Sequence, residues 1–194
     1  SYFQGYWDTP RRDSLQWWGD QKQWRKGYMV SHSRKIGNLD LVASSSFLRD
    51  MGYKMDGYNT QARFGLNTRY RHKNLVFGLN GNHLYRKHGT VIIWEHDSLA
   101  YIPLDTNAII NEGERYYLDP YIILYANEYS KHTLRSRLLW RDTEYNSRLE
   151  ENAYYNNSFL GYTEYQFQYN KEEELICTAG ITNPYMRHRQ APMR

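Results

Sequence analysis

Residues 59–86 read NTQARFGLNTRYRHKNLVFGLNGNHLYR, and the order of their side chains decides the fold of the chain. Up to Tyr70, apolar and polar residues alternate with the period of two that is typical of a β-strand. After a break at 71–74, the alternation resumes from Leu75. We therefore predict a hairpin with one apolar and one polar face. The polar face looks either into bulk water or into the water-filled interior of a barrel whose outside faces lipid.

The same alternation continues along most of the chain. Eight segments carry it, each ten to thirteen residues long: 25–35, 38–50, 59–70, 75–86, 115–127, 131–142, 158–170 and 174–183. Strands of soluble proteins are usually about five or six residues long, whereas a tilted strand that crosses a membrane needs about nine to eleven. We predict an all-β chain, an antiparallel up-and-down meander of about eight strands, and the lengths favour a membrane barrel.

The connections between these segments alternate between short and long. The short ones are 36–37, 71–74, 128–130 and 171–173, and the long ones are 51–58, 87–114, 143–157 and the tail after 183. In an up-and-down sheet every second connection lies at the same end. Tight turns at one end and long loops at the other are typical of outer-membrane barrels, whereas a Greek-key sandwich distributes its loops less regularly.

Composition narrows the function classes. The 194 residues include 20 Tyr and 6 Trp, aromatics that favour boundaries between apolar and wet environments. The net charge is +4, but the basic residues are scattered, which argues against nucleic-acid binding. The single cysteine, Cys177, excludes an internal disulfide framework and a multi-cysteine zinc site. No apolar stretch is long enough for a membrane helix, and this does not exclude membrane-crossing strands.

The polar faces of the predicted strands carry many charges. An unpaired charge away from water costs several kcal/mol, so these side chains need water or ion-pair partners. A wide barrel with a hydrated lumen meets that need, whereas a narrow eight-stranded barrel is filled by its own side chains. The candidate lumen-facing residues are Gln61, Arg63, Asn67, Arg69, Asn80, Asn82, Arg135, Arg137, Arg141, Glu164 and Gln166.

The sequence offers little for catalysis or metal binding. Asp50 and Asp56 flank MGYKM, but a calcium loop needs further oxygen ligands, so solvated carboxylates are expected there. His83, His88 and His96 lack a Cys or carboxylate triad, so we expect surface histidines. No nucleophile-elbow, P-loop or dinucleotide-binding motif occurs. We therefore predict no enzyme, no metal site and no cofactor.

Two further stretches carry predictions. The loop 87–114 contains Trp94 and Tyr101, which we predict as external-loop contacts for a ligand; the alternative is that this loop covers its neighbours or forms a short external hairpin. Asp119-Pro120 interrupts a strand, and because proline cannot donate to the ladder, a bulge or bend is expected there.

The ordered succession of hairpins resembles a known family. The run RKGYMVSHSRKIGNLDLVASSSFLRDMGYKMDGYNTQARFGLNTRYRHKNLVFGLNGNHLY is similar to the early barrel strands of SusC-like TonB-dependent receptors. RYYLDPYIILYAN with KHTLRSRLLWRDTEYN resembles another hairpin of that barrel, and so does SFLGYTEYQFQYN. The similarity covers most of residues 10–190.

The resemblance implies a section of a 22-stranded barrel in the outer membrane of a Gram-negative bacterium, importing large nutrients such as glycans or peptides. It implies as partners outer-membrane lipid, the rest of the barrel with its plug, the TonB complex through N-terminal parts not found in these residues, and a surface lipoprotein lid. No plug, TonB box, signal peptide or aromatic C-terminal residue is recognisable, so we expect a fragment. The expected organisation is an irregular segment at 1–24, a partial barrel at 25–183 and the start of an external loop at 184–194.

Two alternatives stay open at this point. One is a soluble β-sheet module that binds carbohydrate, which requires two facing apolar sheets. The other is a small, self-closed outer-membrane barrel, which as a lipid-modifying enzyme needs a Ser–His pair in its wall. Ser44–Ser46 with His32 or His83 are the candidates, and nothing in the sequence selects them.

Overall fold

The computed structural model describes residues 1–20, 22–91, 94, 96, 101–102, 104, 108–147, 153–171 and 175–192. These residues form nine β-strands and one short 3-10 turn, Asp13–Leu15. The strands are β1 Tyr2–Tyr6, β2 Trp24–Ile36, β3 Leu39–Asp50, β4 Asn59–His72, β5 Leu75–Val91, β6 Ala108–Tyr125, β7 Ser130–Ser147, β8 Tyr154–Lys171 and β9 Leu175–Pro192. In this part of the chain, no helix has the length and apolar character needed to cross a membrane.

All nine strands belong to one antiparallel sheet. They lie in chain order, from β1 to β9, and consecutive strands pair with each other. The predicted all-β, up-and-down meander is therefore confirmed. Within the described ranges the sheet is open, with β1 and β9 as its edges, so the small self-closed barrel is not what the strands form.

The strands differ from the predicted ones in number and length. β1 lies inside the segment 1–24 that we expected to be irregular, and β9 continues through 184–192, where we expected a loop. The predicted loop 87–114 is shortened by strand residues from both sides, and so is 143–157. Periodicity misses these parts because YFQGY is too short to show a period, and because apolar and polar residues do not alternate regularly in the extensions.

The strand bounds confirm the alternation of connections. At one end of the sheet, the turn end, two to four residues separate β2 from β3, β4 from β5, β6 from β7 and β8 from β9. At the opposite end, the loop end, six to seventeen residues separate β1 from β2, β3 from β4, β5 from β6 and β7 from β8. Two of the tight turns begin in the left-handed backbone region, with φ of +56° at Gly37 and +51° at Lys73. In another turn, the side-chain oxygen of Asn127 accepts hydrogen bonds from the backbone N–H groups of Tyr129 and Ser130 at 2.9 and 2.8 Å.

The sheet has almost no core. Among the described residues, the buried apolar side chains are Trp18 and Val76. Phe64, Phe77 and Leu134 leave 50%, 43% and 44% of their surface exposed, so no second layer covers them. The two-sheet sandwich required by a soluble carbohydrate-binding module is accordingly absent from the described part of the chain.

Pro120 leaves a gap in the ladder without a bulge. β6 and β7 pair from Leu118 with Leu138, and again from Tyr121 with Arg135, so three steps on one strand match three on the other. No extra residue is inserted, so a bulge is excluded here, and the bend that we gave as the other possibility stays a prediction. The missing N–H of proline removes a bond without changing the register.

Candidate functional site

The register brings the predicted polar residues together on one face of the sheet. Side chains directly opposite each other on paired strands share a face. Asn67 lies opposite Asn80, Asn80 lies opposite Asp119, and Arg135 lies opposite Glu164. We call this the polar face; it carries Gln61, Arg63, Asn67, Arg69, Asn80, Asn82, Arg135, Arg137, Arg141, Glu164 and Gln166. That this face lines a lumen stays a prediction.

Near its middle, the polar face holds a bidentate ion pair. The Arg137 guanidinium donates to both carboxylate oxygens of Asp119, from Nε at 2.8 Å and from Nη2 at 2.6 Å. It also lies 5.9 Å from the ring centroids of Tyr117 and Tyr162. Fork-like pairing of this kind is stronger than a single neutral hydrogen bond. The sequence did not reveal Asp119 as a partner, because its neighbour Pro120 identified the position only as a break.

Other arginines near the turn end also have an acidic residue opposite or close by. Arg135 lies opposite Glu164, Arg69 lies opposite Asp40, and Arg71 Nη2 is 3.8 Å from Asp40 Oδ2. An open cleft of about 510 Å³ lies beside Arg69 and Arg135. Its polar lining includes Arg69, Asn80, Asp119, Lys131, Arg135 and Arg137. The charges in this region are therefore largely matched across the strands.

A glycine makes room for an aromatic ring beside that cleft. Tyr121 lies opposite Gly78, and a Cβ atom at position 78 would overlap the Thr68 carbonyl oxygen and lie 2.5 Å from the Tyr121 hydroxyl. Only glycine fits under the ring without displacing it. The Tyr121 ring can therefore occupy this position in the cleft wall only because residue 78 has no side chain. The alternation pattern could not indicate this.

The opposite side of the sheet, the apolar face, carries an apolar band between aromatic residues. The band includes Phe64, Leu66, Phe77, Leu79, Ile122, Leu134, Leu138 and Ile181. Towards the loop end, Trp140 packs 5.2 Å from Phe159, which lies 5.9 Å from Tyr185. Towards the turn end, Tyr70 packs 5.0 Å from Phe77. An apolar band flanked by aromatics is the outer surface expected of a strand barrel in lipid.

Charged groups replace the band nearer the loop end of the apolar face. Lys87 Nζ donates to Glu112 at 2.6 Å, and the Tyr85 hydroxyl donates to the other Glu112 oxygen at 2.8 Å. The hydrogen bonds from Lys87 and then Tyr85 lower the pKa of the Glu112 carboxyl. The bond to Glu112 raises the pKa of Lys87. The surface thus changes from apolar to charged along the strands.

The loop end also carries an aromatic cluster, which we define as Trp7, Trp17, Tyr53, Trp94 and Tyr101. Trp17 Nε1 donates to the Tyr53 carbonyl oxygen at 3.0 Å, and the Tyr53 ring lies 5.4 Å from Trp7 and 5.3 Å from Tyr101. The ammonium of Lys54 lies 4.1 Å from the centroid of Trp94.

The two residues predicted to contact a ligand therefore pack against 51–58. The Met55 N–H also donates to the Tyr101 carbonyl oxygen at 2.9 Å, as the covering-loop alternative requires. Trp94 keeps 39% of its surface exposed. Contact of these residues with a ligand stays a prediction. Sequence reasoning did not connect them to the N-terminal tryptophans, because the two segments are distant in the chain.

Two other groups considered for chemistry pack against neighbouring residues. Asp50 accepts from Trp7 Nε1 at 3.0 Å and from the Gly52 N–H at 2.9 Å. His83 stacks on Tyr116, with centroids 4.3 Å apart. In the described ranges, no group of three His, Cys, Asp or Glu residues is arranged to hold a metal ion. In the same ranges, no hydrogen bond joins a hydroxyl of Ser44–Ser46 to His32 or His83.

Comparison with known proteins adds no identification. No family model matches the chain, and neither a curated protein nor a solved structure does. The functional interpretation therefore depends on the two faces of the sheet, on its two ends and on the resemblance of its hairpins.

Proposed function

We propose that this chain is a section of the barrel wall of a TonB-dependent outer-membrane receptor of the SusC-like kind, which imports a large nutrient. The observation that carries the proposal is the uncovered apolar band on a sheet whose other face holds arginines and amides. In water, such a band would expose a large continuous apolar surface, which soluble monomers rarely do. In a barrel wall the apolar face contacts lipid and the polar face contacts water, so each face has a suitable environment.

The strand lengths support the same proposal. β6 to β9 are each 18 residues long. At about 3.3 Å per residue and a tilt of about 40°, such a strand rises roughly 45 Å, whereas the apolar belt of a membrane barrel is about 25 Å tall. The remainder of each strand extends beyond the lipid, where the charged network around Glu112 lies.

The two edges of the sheet and its two ends suggest where the chain would lie in such a receptor. β1 and β9 each have one unpaired side among the described strands, so further strands can continue the sheet in both directions. The turn end would face the periplasm and the loop end the outside. In this proposal the chain is a passive wall that lines the import path. Its partners are lipid, the remaining strands with their plug, the TonB complex and a surface lipoprotein.

Spin labels on the two faces test the proposal. In the full-length protein in lipid vesicles, with Cys177→Ser as background, one nitroxide is attached at Phe64→Cys, Phe77→Cys or Leu134→Cys on the apolar face. Matched labels go to Asn67→Cys, Asn80→Cys and Arg135→Cys on the polar face. We expect apolar-face labels to collide with oxygen and polar-face labels to collide with a water-soluble nickel complex.

Equal collision of both sets with the nickel complex would contradict the proposal. So would a chain that stays monomeric in buffer without detergent. The receptor assignment has its own test: the reading frame around these residues should encode a plug domain and about a dozen further strands. A reading frame that holds no further barrel strands would overturn it.

A further inference from the structure

A second group of arginines on the polar face differs from those near the turn end. Arg63, Arg86, Arg115 and Arg141 lie towards the loop end, and we call them the arginine patch. Arg63 lies opposite Leu84, Leu84 lies opposite Arg115, and Arg115 lies opposite Arg141, so three of the four share one row across the strands. Arg86 lies one row closer to the loop end.

The arginine patch has no carboxylate partner among the described residues. The described ion pairs involve Arg25, Arg71, His83, Lys87 and Arg137. Within the patch, Arg86 Nε donates to the Asn59 side-chain oxygen at 3.1 Å, and Arg141 Nε donates to the Thr143 hydroxyl at 3.2 Å. Arg115 and Arg141 are directly opposite each other, and like charges in that position destabilise a sheet.

Three acidic residues border the patch, but their side chains belong to the apolar face and are bonded there. Glu112 is held by Lys87 and Tyr85. Glu114 accepts a short hydrogen bond from Tyr116. Asp142 accepts from Tyr155 at 2.9 Å and from Asn157. These carboxylates therefore do not neutralise the arginine patch, and its positive charge is directed into the space before the polar face.

A cleft beside the patch also contains unused hydrogen-bonding groups. It has a volume of about 240 Å³, and its lining includes Arg86, Arg115, Arg141, His88 and Asn111. Glu112, Glu114 and Asp142 also line it, with their carboxylates bonded as described above. Asn111 Nδ2 lies 3.5 Å from His88 Nε2. The Asn111 side-chain oxygen and His88 Nδ1 are buried without a hydrogen-bond partner. Most buried polar atoms in native proteins are hydrogen-bonded, so this is a polar cleft whose groups are not fully paired within the chain.

The guanidinium groups and the amide groups together indicate which kind of ligand the cleft would bind. Guanidinium groups without a partner bind carboxylate or sulfate oxygens, often in bidentate fashion. Amide side chains both donate and accept hydrogen bonds, so amides beside guanidinium groups suit a ligand that carries hydroxyls as well as acidic groups. Gln61 and Asn156, in the same row as Arg86, add further amides suited to hydroxyl groups.

We propose that the arginine patch and its cleft bind an acidic oligosaccharide, with its carboxylate groups on Arg115 and Arg141 and its hydroxyls on the neighbouring amides. The proposal rests on the proposed function, because it names the class of nutrient that a polar face inside the barrel would pass. The patch lies at the loop end, which the ligand reaches first from outside. A local rule of sheet pairing is broken at this place, and such breaks concentrate at functional sites.

Calorimetric titration of the full-length protein in detergent with a short oligogalacturonate tests the proposal. We expect Arg115→Gln and Arg141→Gln each to weaken binding about tenfold, since a charge-assisted hydrogen bond is lost. The matched control is Arg71→Gln, whose partner Asp40 lies at the turn end; it should change affinity less than about twofold. Binding to the unmodified protein should also weaken as salt is added.

Two further probes make the outcome specific. The carboxyl-reduced, neutral form of the same oligosaccharide should bind at least tenfold more weakly than the acidic form. Polyglutamate of similar charge should also bind more weakly, because it lacks hydroxyl groups. Equal affinity for the neutral form, or tighter binding of polyglutamate, would overturn the proposal, and so would an equal effect of Arg71→Gln.

Thermal unfolding without ligand supplies a readout that is independent of transport. Removing one of two opposed charges should leave the melting temperature of Arg141→Gln equal to or above that of the unmodified protein. Oligogalacturonate should then raise the melting temperature of the unmodified protein only. A lower melting temperature of the variant without ligand would count against the proposal.

The two proposals can fail separately. If the spin labels report one lipid-facing and one water-facing side but oligogalacturonate does not bind, this inference is wrong and the barrel proposal stands.

Discussion

Asp50 joins three parts of the chain at the loop end of β3. Its Oδ1 accepts from Trp7 Nε1 at 3.0 Å and from the Gly52 N–H at 2.9 Å, and its Oδ2 lies 3.7 Å from Arg25 Nε. The side chain is only 17% exposed, so its removal leaves donors without acceptors. We expected this carboxylate to be solvated, and it instead holds Trp7 close to the start of β2.

We therefore predict that Asp50→Ala lowers the free energy of unfolding by about 2 kcal/mol, since two hydrogen bonds to a charged acceptor are lost. Asp50→Asn retains an acceptor oxygen and should lose less than about 1 kcal/mol. Urea unfolding, followed by tryptophan fluorescence, measures both. If the two variants lose equal stability, the charge and not the acceptor geometry holds the segment.

A second prediction concerns the bonded pair Lys87 and Glu112. A carboxyl whose pKa is lowered on folding stabilises the folded state above its unfolded pKa, about 4.3, and this contribution is lost as the pH falls through the lower folded pKa. The raised pKa of Lys87 contributes below its own unfolded pKa, and this part is lost only at strongly alkaline pH.

Between pH 7 and pH 3, the unmodified protein should therefore lose more stability than Glu112→Gln, because the variant carries no titrating carboxyl at this position. Melting temperatures across this range measure the difference. Glu144→Gln is the matched control, since no described hydrogen bond or ion pair involves Glu144. If the variant follows the same pH curve as the unmodified protein, the pair does not act as described.

Within the strands, replacing two glycines of β5 by alanine should change the stability in opposite directions. Gly78 lies under Tyr121 on the polar face, whereas a Cβ atom at Gly81 would come no closer than 3.5 Å to Leu118 Cδ1, an ordinary contact. Gly78→Ala should therefore destabilise the protein by about 2 kcal/mol through forced displacement of the ring or the backbone. Gly81→Ala should be neutral or stabilise by up to about 1 kcal/mol, because alanine loses less backbone entropy on folding.

Urea unfolding of the two variants in parallel tests this pair. Equal effects would show that Tyr121 moves aside without cost. A glycine inside a strand signals close approach in general terms. Which of the two glycines is crowded depends on the residue opposite, and therefore on the register.

The elements themselves were largely predictable from the sequence, and their extensions were not. The hairpin of β4 and β5 follows from alternation around 71–74, and Lys73-Asn74 supplies its turn. β1 was not predicted because it is too short to show a period, and the loop-end parts of β5 to β9 were not predicted either. The loop-end parts of β5 and β6 are joined by cross-strand bonds such as Lys87 with Glu112. Such bonds leave no periodic signal in either strand alone.

For the whole molecule, the decisive property is the difference between the two faces. Phe77 and Asn80 lie three residues apart in β5 on opposite faces. In the proposed barrel, Phe77→Arg places a charge against lipid and should cost about 2–4 kcal/mol. Asn80→Arg places it in water opposite Asp119 and should cost less than about 1 kcal/mol.

Unfolding of the full-length protein from lipid vesicles compares the two arginine variants. A difference of several kcal/mol is expected in lipid. If both variants lose equal stability, the apolar face does not contact hydrocarbon, and the membrane proposal is wrong. The arginine patch would then face bulk solvent, and binding of an acidic sugar would need a separate explanation.

The sequence by itself determined the strand period, the two faces and the alternation of turns and loops, because each of these depends on residues that are neighbours in the chain. Only the tertiary structure decided which side chains meet across strands: Asp119 with Arg137, Tyr121 over Gly78, Arg115 beside Arg141, and the tryptophans around Tyr53. The physical reason is the register, since a shift of one residue would reverse the faces and a shift of two would change every partner.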